Sequence, residues 1–575
     1  MRLIRSLNWV HILLILSLPI VLALINPNWM FSTNFLYDDY IYLGHFLDLY
    51  GQIGWYPTNE FYFYERITWT VPGAIIHDIF NPLIANFVLH LLVYWIAAFA
   101  IYGVIQRLSK NDRVALFITL LLGHYPPFMR AVGWDYLDGA LIAYLSLCIF
   151  FIVQASISKR TNLYLVLAGA FGMIFISTNL FMVTYTPALL IFYWLYRKPK
   201  TLKVFIKDTL WVVLGAVVVY ILLGFVYLHL TGNWLFFKNS LEFSKNFVGD
   251  KDPRIRLWQS STKPQLWHIL PAIVISSALW TLWKGRKTNG NPDIILLRQV
   301  LVLHLILYVP YVLFSLRGYI YLVYSFYSSP IIPVTFILFG TLIAPSFSRY
   351  DNRYHRLFIG MAYIVPALPF FVFSILPLIT IPLPIITAIL GPLIPLFIIF
   401  GITLPTRRAK RYALLVVGFS VLGYIVGIST HQKSATYTVP ITYIYDRYEA
   451  QGDYEASVML AEAINQRFPK DKSAFMFRAW GTSGTDDPER TIFSKLNMMF
   501  SGDIFRTFFE ESELDRRIPK YIIALSSEMS EQEMIDQVET ALNKRGYRSD
   551  DIETLFMEYS RGSFYVIFIK TTRLS

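Results

Sequence analysis

The chain has 575 residues, 55% of them hydrophobic and only 15% charged, with a mean hydropathy of +0.48. Such a composition excludes an ordinary soluble enzyme, whose surface needs more charge. The net charge of +12 does not call for nucleic acid, because the Lys and Arg residues sit in short stretches between apolar runs, where they report topology. The single cysteine, Cys148, lies inside such a run, which rules out an intramolecular disulfide and leaves the redox compartment unread.

Apolar runs of about 18–25 residues match the hydrocarbon thickness of a bilayer at 1.5 Å rise per residue, and in lipid they must be helices. Residues 8–26 form the first run; no small-residue cleavage site follows, so it is expected to be retained. Residues 27–80 form a large polar and aromatic loop. Asn81-Pro82 reads as a cap with proline at the first helical position, opening the second run at 82–105. The third starts near 114 and is broken by Pro126-Pro127; the fourth is 138–157. Runs follow at 163–178, 181–196 and 209–230, then a second polar loop at 231–267, then runs at 268–283, 296–315 and 325–344. The Pro-rich stretch 357–404 divides into two around Pro382-Leu-Pro384, and 412–429 is the last.

This makes about thirteen transmembrane helices in a polytopic α-helical membrane domain, residues 1–430. The basic loops place the N-terminus in the cytoplasm, and an odd count places residues 431–575 on the extracytoplasmic face. That tail has the charge and patterning of a small α/β soluble domain. Residues 441–480 read as a helical hairpin with small residues at helical spacing, like one tetratricopeptide unit, although a lone unit cannot bury its own face. Farther on the pattern predicts a strand at 521–525, a helix at 530–545 closed by Gly546, and strands at 552–558 and 563–571. The tail carries no catalytic constellation, so an accessory role is expected.

Polar residues assigned to the outer side come from distant parts of the chain: Asp38 and Asp39, Glu65 and Arg66, Arg130 with Asp135 and Asp138, Arg254, Arg256 and Lys263 in the second loop, and Arg317 with Tyr319. Charges near span ends are costly unless solvated or paired, and in membrane proteins they mark function by default. Asp135 and Asp138, three apart, share a helix face; equally, a helix N-terminus favours carboxylates through its dipole. His45 and His77 lie on the same side without metal-ligand spacing. His90 and His304 fall within runs with no acidic neighbour in the sequence.

Carboxylates and guanidiniums at an outer leaflet suit sugar transfer from a polyprenyl-phosphate donor. A positioned Asp can take the proton of the attacking acceptor hydroxyl. The phosphate leaving group needs its charge stabilised, which the bidentate fork of Arg does well.

The chain resembles the GT-C glycosyltransferases, in the branch of protein O-mannosyltransferases and lipid A aminoarabinose transferases. Asp38-Asp39-Tyr40-Ile41-Tyr42 is similar to that family's acidic pair followed by tyrosine. Gly51-Gln-Ile-Gly54-Trp55-Tyr56-Pro57 is similar to its Gly-rich turn. Tyr64-Glu65-Arg66-Ile67-Thr68 matches its aromatic–acid–cation segment while lacking the two prolines, and Asp138 and Arg317-Gly-Tyr319 match later positions. The resemblance covers roughly residues 1–345. It implies an inverting transferase with Asp38 as base and Asp39 as second candidate. Glu65, Arg66 and Arg317 would contact donor phosphate or sugar, and Arg254, Arg256 and Lys263 would close over it. Some members of the family use a divalent cation and others do not, so no cofactor is read from the residues and a cation stays open. The acceptor is a glycan, lipid or protein, and the compact loops and lack of an endoplasmic-reticulum retention signal point to a bacterial inner membrane. The alternatives are a lipid-linked sugar flippase, which would place its charges at the bilayer midplane, a polysaccharide polymerase or ligase, and a non-enzymatic anchor for the tail.

Overall fold

The computed structural model describes residues 8–25, 27–31, 38–51, 62–197, 201–249, 269–288, 291–316, 329–347, 450–467, 475–480, 521–526, 529–559 and 562–573, with a few single or paired positions between them. The chain is largely helical. Helices α1 (Trp9–Ile25), α2 (Asp38–Leu47), α3 (Ile67–Ile79), α4 (Pro82–Ser109), α5 (Asp112–Gly123), α6 (Pro126–Val132) and α7 (Asp138–Ile157) are followed by α8 (Thr161–Thr178), α9 (Thr186–Tyr196) and α10 (Leu202–Thr231). Then come α11 (Lys238–Gly249), α12 (Ile269–Lys284), α13 (Pro292–Leu316) and α14 (Ile331–Phe347). The tail holds α15 (Ala450–Arg467), strands β1 (Phe475–Trp480) and β2 (Tyr521–Ser526), α16 (Glu531–Asn543), β3 (Tyr547–Tyr559) and β4 (Gly562–Arg573).

Among the described residues five helices are long and apolar enough to cross a membrane: Pro82–Ser109, Asp138–Ile157, Thr161–Thr178, Leu202–Thr231 and Pro292–Leu313. Shorter apolar helices accompany them at Trp9–Ile25, Leu180–Tyr196, Leu270–Lys284 and Ile331–Pro345. The runs expected at 357–404 and 412–429 lie outside the described residues, as do Arg254, Arg256, Lys263, Arg317 and Tyr319. Local chemistry sets the boundaries. Asn81 caps α4 by accepting from the Ile84 amide at 3.0 Å, ahead of Pro82, as the sequence predicts. Asn111 does the same for α5, accepting from the amides of Arg113 and Val114 at 3.0 and 3.2 Å. The second polar loop is not wholly irregular, since α11 forms within it.

The chain divides into two compact units, Met1–Met30 with Leu89–Tyr227 and Trp234–Arg447, and Phe31–Val88 with Leu228–Asn233 and Tyr448–Ser575. In the first, neutral hydrogen bonds join neighbouring helices, a device that substitutes for the hydrophobic drive absent in lipid. His11 Nδ1 meets Tyr102 Oη at 2.9 Å, the Trp95 indole donates to the Leu16 carbonyl at 3.2 Å, and Tyr185 donates to Tyr311 at 2.8 Å. Helices α8 and α10 touch backbone to backbone. A Cβ added at Gly169 would collide with the Val212 carbonyl, and one at Gly215 with the Val166 carbonyl. The outer face of α10 keeps Leu210, Leu222 and Phe225 exposed, as a lipid-facing surface requires.

In the second unit α2 and α3 pack through aromatic rings. Phe46 meets Trp69 edge-on at 5.5 Å and His77 at 5.3 Å, and its ring fills the space beside Gly73. The tail forms a four-stranded sheet in the order β1-β2-β4-β3, with β1 parallel to β2 and the other pairs antiparallel. Ile522, Ala524, Ile567 and Ile569 bury one sheet face against Met534, Val538, Ala541 and Leu542 of α16. Helix α16 starts on a capping box between Ser530 and Glu533 and ends before Gly546, whose φ of +75° suits glycine. The strands and helix expected at 521–571 are present, with β3 beginning five residues earlier than the alternation indicated.

The helical hairpin expected at 441–480 is corrected. Residues Ala450–Arg467 make one continuous helix, with Gly452 in its first turn rather than between two helices, and Phe475–Trp480 is a strand; residues 441–449, where the first helix is expected to begin, lie outside the described residues. Tyr454 of this helix is fully buried against the first-loop residues. Its hydroxyl donates to the Pro82 carbonyl at 3.3 Å, its ring lies 5.2 Å from Phe31, and His77 Nε2 is 3.4 Å away.

The reciprocal glycine contact yields a prediction. Gly169→Leu or Gly215→Leu must push α8 and α10 apart, at a cost of about 1–3 kcal/mol from overpacking. The thermal midpoint of the detergent-solubilised protein should fall for both, while Gly172→Leu, beside which only the Cys148 sulfur lies at 3.7 Å, shifts it less. Equal shifts at all three would contradict the backbone contact.

Candidate active site

The second unit holds the acidic pair and the aromatic–acid–cation segment. Asp38 and Asp39 are the first two residues of α2, and Asp39 is fully buried. A single 3-10 turn, Phe63–Glu65, leads into α3 and turns Arg66 back towards α2. The Arg66 guanidinium donates through Nη1 to the hydroxyl of Tyr42 and lies over three rings, 4.6 Å from Tyr62, 5.3 Å from Phe63 and 5.8 Å from Tyr42. Tyr62 and Phe63 stack at 4.5 Å, so the aromatic wall is continuous. Glu65 and Arg66 are both buried, at 1% and 8% exposure. A guanidinium in such a setting cannot be deprotonated, and its fixed fork suits a planar or tetrahedral oxyanion. The bond between Tyr42 and Arg66 joins the acidic-pair segment to the aromatic–acid–cation segment, 24 residues apart.

His45 lies on the same helix as the acidic pair. Its Nδ1 meets the Ile41 carbonyl at 2.7 Å, and burial pushes its pKa down to about 4 against the opposing pull of that carbonyl and Asp48. It is a neutral packing histidine at ordinary pH.

The first unit holds the remaining described candidates around the turn between α6 and α7. The Trp134 indole donates to Asp138 Oδ1, and the Arg130 guanidinium covers the Trp134 ring at 4.2 Å. Asp135 and Asp138 are buried, at 0% and 2% exposure. Asp135 Oδ1 lies 3.4 Å from Nε2 of His90 on α4, which corrects the expectation that His90 has no acidic partner. No signal in the sequence could have found that pair, because 45 residues separate its members. Gly139 lets α7 cross against the Ala131 and Val132 backbone, which brings this turn close to the end of α6. His304 hydrogen-bonds Thr335 at 2.9 Å and is a packing residue between α13 and α14. Among the described residues no three His, Cys, Asp or Glu side chains gather as a metal site.

Among solved structures the chain is similar to ArnT from Cupriavidus metallidurans bound to undecaprenyl phosphate, at 15% identity and a TM-score of 0.41, over 96% of this chain and 97% of that one. The apo structure of the same protein gives 15% identity and a TM-score of 0.42 with the same coverage. No family model matches the sequence, and no curated protein matches it.

The His45 environment sets a pH dependence. The folded value near 4 lies below the unfolded value of 6.5, so stability is whole above pH 6.5 and is lost as pH falls towards 4, by about 3 kcal/mol at most. Melting or hydrogen exchange of α2 between pH 7 and pH 4 should show that decline, and His45→Gln should flatten it. A wild-type profile that matches His45→Gln would contradict it.

Proposed function

We propose that this protein is an inverting membrane glycosyltransferase that moves a sugar from a polyprenyl-phosphate donor to an acceptor hydroxyl. The observation that carries the reading is the buried Arg66 guanidinium held by Tyr42 against an aromatic wall, next to Glu65 and one helix away from the acidic pair. Tyr42, Glu65 and Arg66 are among the residues on which the GT-C resemblance rests, and the contact between Tyr42 and Arg66 supports the reading.

In the reaction the Asp38 carboxylate takes the proton of the acceptor hydroxyl as its oxygen bonds to the anomeric carbon. The bond from that carbon to the donor phosphate breaks, and polyprenyl phosphate leaves with the electron pair. It leaves as an anion of low basicity, so no general acid is needed; Arg66 stabilises the charge through its fork. Asp39 is the second candidate for the base. Glu65 orients the donor sugar, and Arg130, Asp135 and Asp138 contribute donor contacts on their own unit. Arg317 and Tyr319 with Arg254, Arg256 and Lys263 complete the donor contacts. The topology that goes with this reading has thirteen spans, the N-terminus in the cytoplasm, and the tail outside a bacterial inner membrane, where the tail helps select the glycan, lipid or protein acceptor.

The test is release of polyprenyl phosphate from a labelled lipid-linked sugar by purified protein. Asp38→Asn should abolish release while membrane abundance stays at the wild-type level; full activity would remove Asp38 as base. Arg66→Ala should raise the donor KM about 10- to 100-fold, the loss expected for a charged hydrogen bond. An unchanged KM would remove Arg66 from the donor site.

A further inference from the structure

The contact between His90 and Asp135 ties a donor-contact carboxylate of the proposed reaction to a titratable group, His90, that the reaction does not use. Both are completely buried. His90 Nδ1 lies 3.0 Å from the carbonyl oxygen of Met30. A carbonyl oxygen only accepts, so the hydrogen of that bond sits on Nδ1. The other ring nitrogen, Nε2, faces Asp135 Oδ1 at 3.4 Å. With a neutral imidazole and an ionised carboxyl, a lone pair would face a negative oxygen in a dry interior, an arrangement that low dielectric makes costly. One added proton, on either atom, turns that contact into an attraction.

We propose that His90 and Asp135 hold one proton between them, and that through it His90 is a positioning residue for the Arg130–Trp134–Asp138 cluster. Asp135 sits in the five-residue turn Gly133–Leu137 that sets where Trp134 and Asp138 stand. The turn is fixed on a second side as well. Gly133 packs against the Trp29 carbonyl with no room for a Cβ, and the next residue, Met30, supplies the carbonyl that takes the His90 proton. Three pieces of chain, α4, residues 29–30 and the turn, are thus tied together at one histidine. Asp135 is the tie on the side of the turn, one residue from the indole that binds Asp138. The assignment of this cluster to donor binding rests on the transferase reading; the shared proton and the tie do not.

The experiment uses the full-length protein in nanodiscs with ¹⁵N-labelled histidine and tryptophan. The His90 signals are identified by their disappearance in His90→Gln, and those of Trp134 by Trp134→Phe. In the wild type Nδ1 should carry a proton and Nε2 should show a shared or full proton. In Asp135→Asn the Nε2 signal should move to the position of an unprotonated ring nitrogen. An Nε2 already unprotonated in the wild type, and unmoved in Asp135→Asn, would overturn the shared proton.

For positioning, the amide of His90→Gln still donates to Asp135, whereas His90→Leu cannot. The Trp134 indole N–H signal should therefore stay in place in His90→Gln and shift or broaden in His90→Leu. With labelled donor, His90→Leu should raise KM about tenfold with kcat little changed, in line with loss of one buried charged contact, and His90→Gln should stay near wild type. An indole signal indifferent to His90→Leu would overturn the positioning role. If His90→Leu fails to fold, the indole signal in Asp135→Asn decides the same point: it should shift, and an unmoved signal would overturn positioning. A wild-type protein that turns over no donor would refute the transferase reading while leaving the nitrogen and indole measurements intact.

Discussion

A guanidinium taken out of water is the constraint around which the first-loop unit is built. An isolated charge in an apolar interior costs many kcal/mol, so its neighbours must be chosen to hold it. A phenolic oxygen and three ring faces help to meet that demand at Arg66, and arginine suits them because its guanidinium is weakly hydrated and planar. The consequence is geometric. Tyr42 must stand on the face of α2 that meets the start of α3, which fixes the register of the two helices. Phe46, one turn on, then falls against Trp69 and the bare backbone of Gly73. The same register puts Asp39 inside and carries the acidic pair on the helix end that best tolerates negative charge.

The membrane-crossing unit solves a related problem by other means. Among the described residues, several polar side chains bridge one helix to the next, as His11 does to Tyr102 and His304 to Thr335. The turn before α7 departs from that pattern by gathering Arg130, Asp135 and Asp138 with one indole and one imidazole. Glycines at 133 and 139 let the chain pack there against the Trp29 carbonyl and the Ala131–Val132 backbone, where a Cβ would collide.

What the sequence made legible was whatever depends on periodicity and local caps. Helix α7 begins at Asp138 and ends at Ile157, as the apolar run did, and Asn81-Pro82 and Gly546 mark the ends they announce. The break expected at Gly452 is absent for a reason of the same kind. Small residues at helical spacing look alike in one long helix and in two short ones, and a glycine near a helix start costs too little to break it. Side-chain partners across long separations were not legible at all. Neither the 24 residues between Tyr42 and Arg66 nor the 45 between His90 and Asp135 leave any local trace, because those contacts are set by helix packing. The motif order did bring Tyr42 and Arg66 under suspicion together; for His90 nothing did.

The central claim is the proposal that Arg66 binds the donor's phosphate, and photo-crosslinking tests it most directly. A polyprenyl phosphate carrying a photoreactive group next to the phosphate is irradiated with the full-length protein in nanodiscs, and the adducts are mapped by peptide sequencing. The account predicts adducts concentrated on residues 62–66 and on α2, competed away by unlabelled polyprenyl phosphate and lost in Arg66→Ala. Adducts confined to lipid-facing helices such as α10, unchanged by competitor or by that substitution, would contradict it.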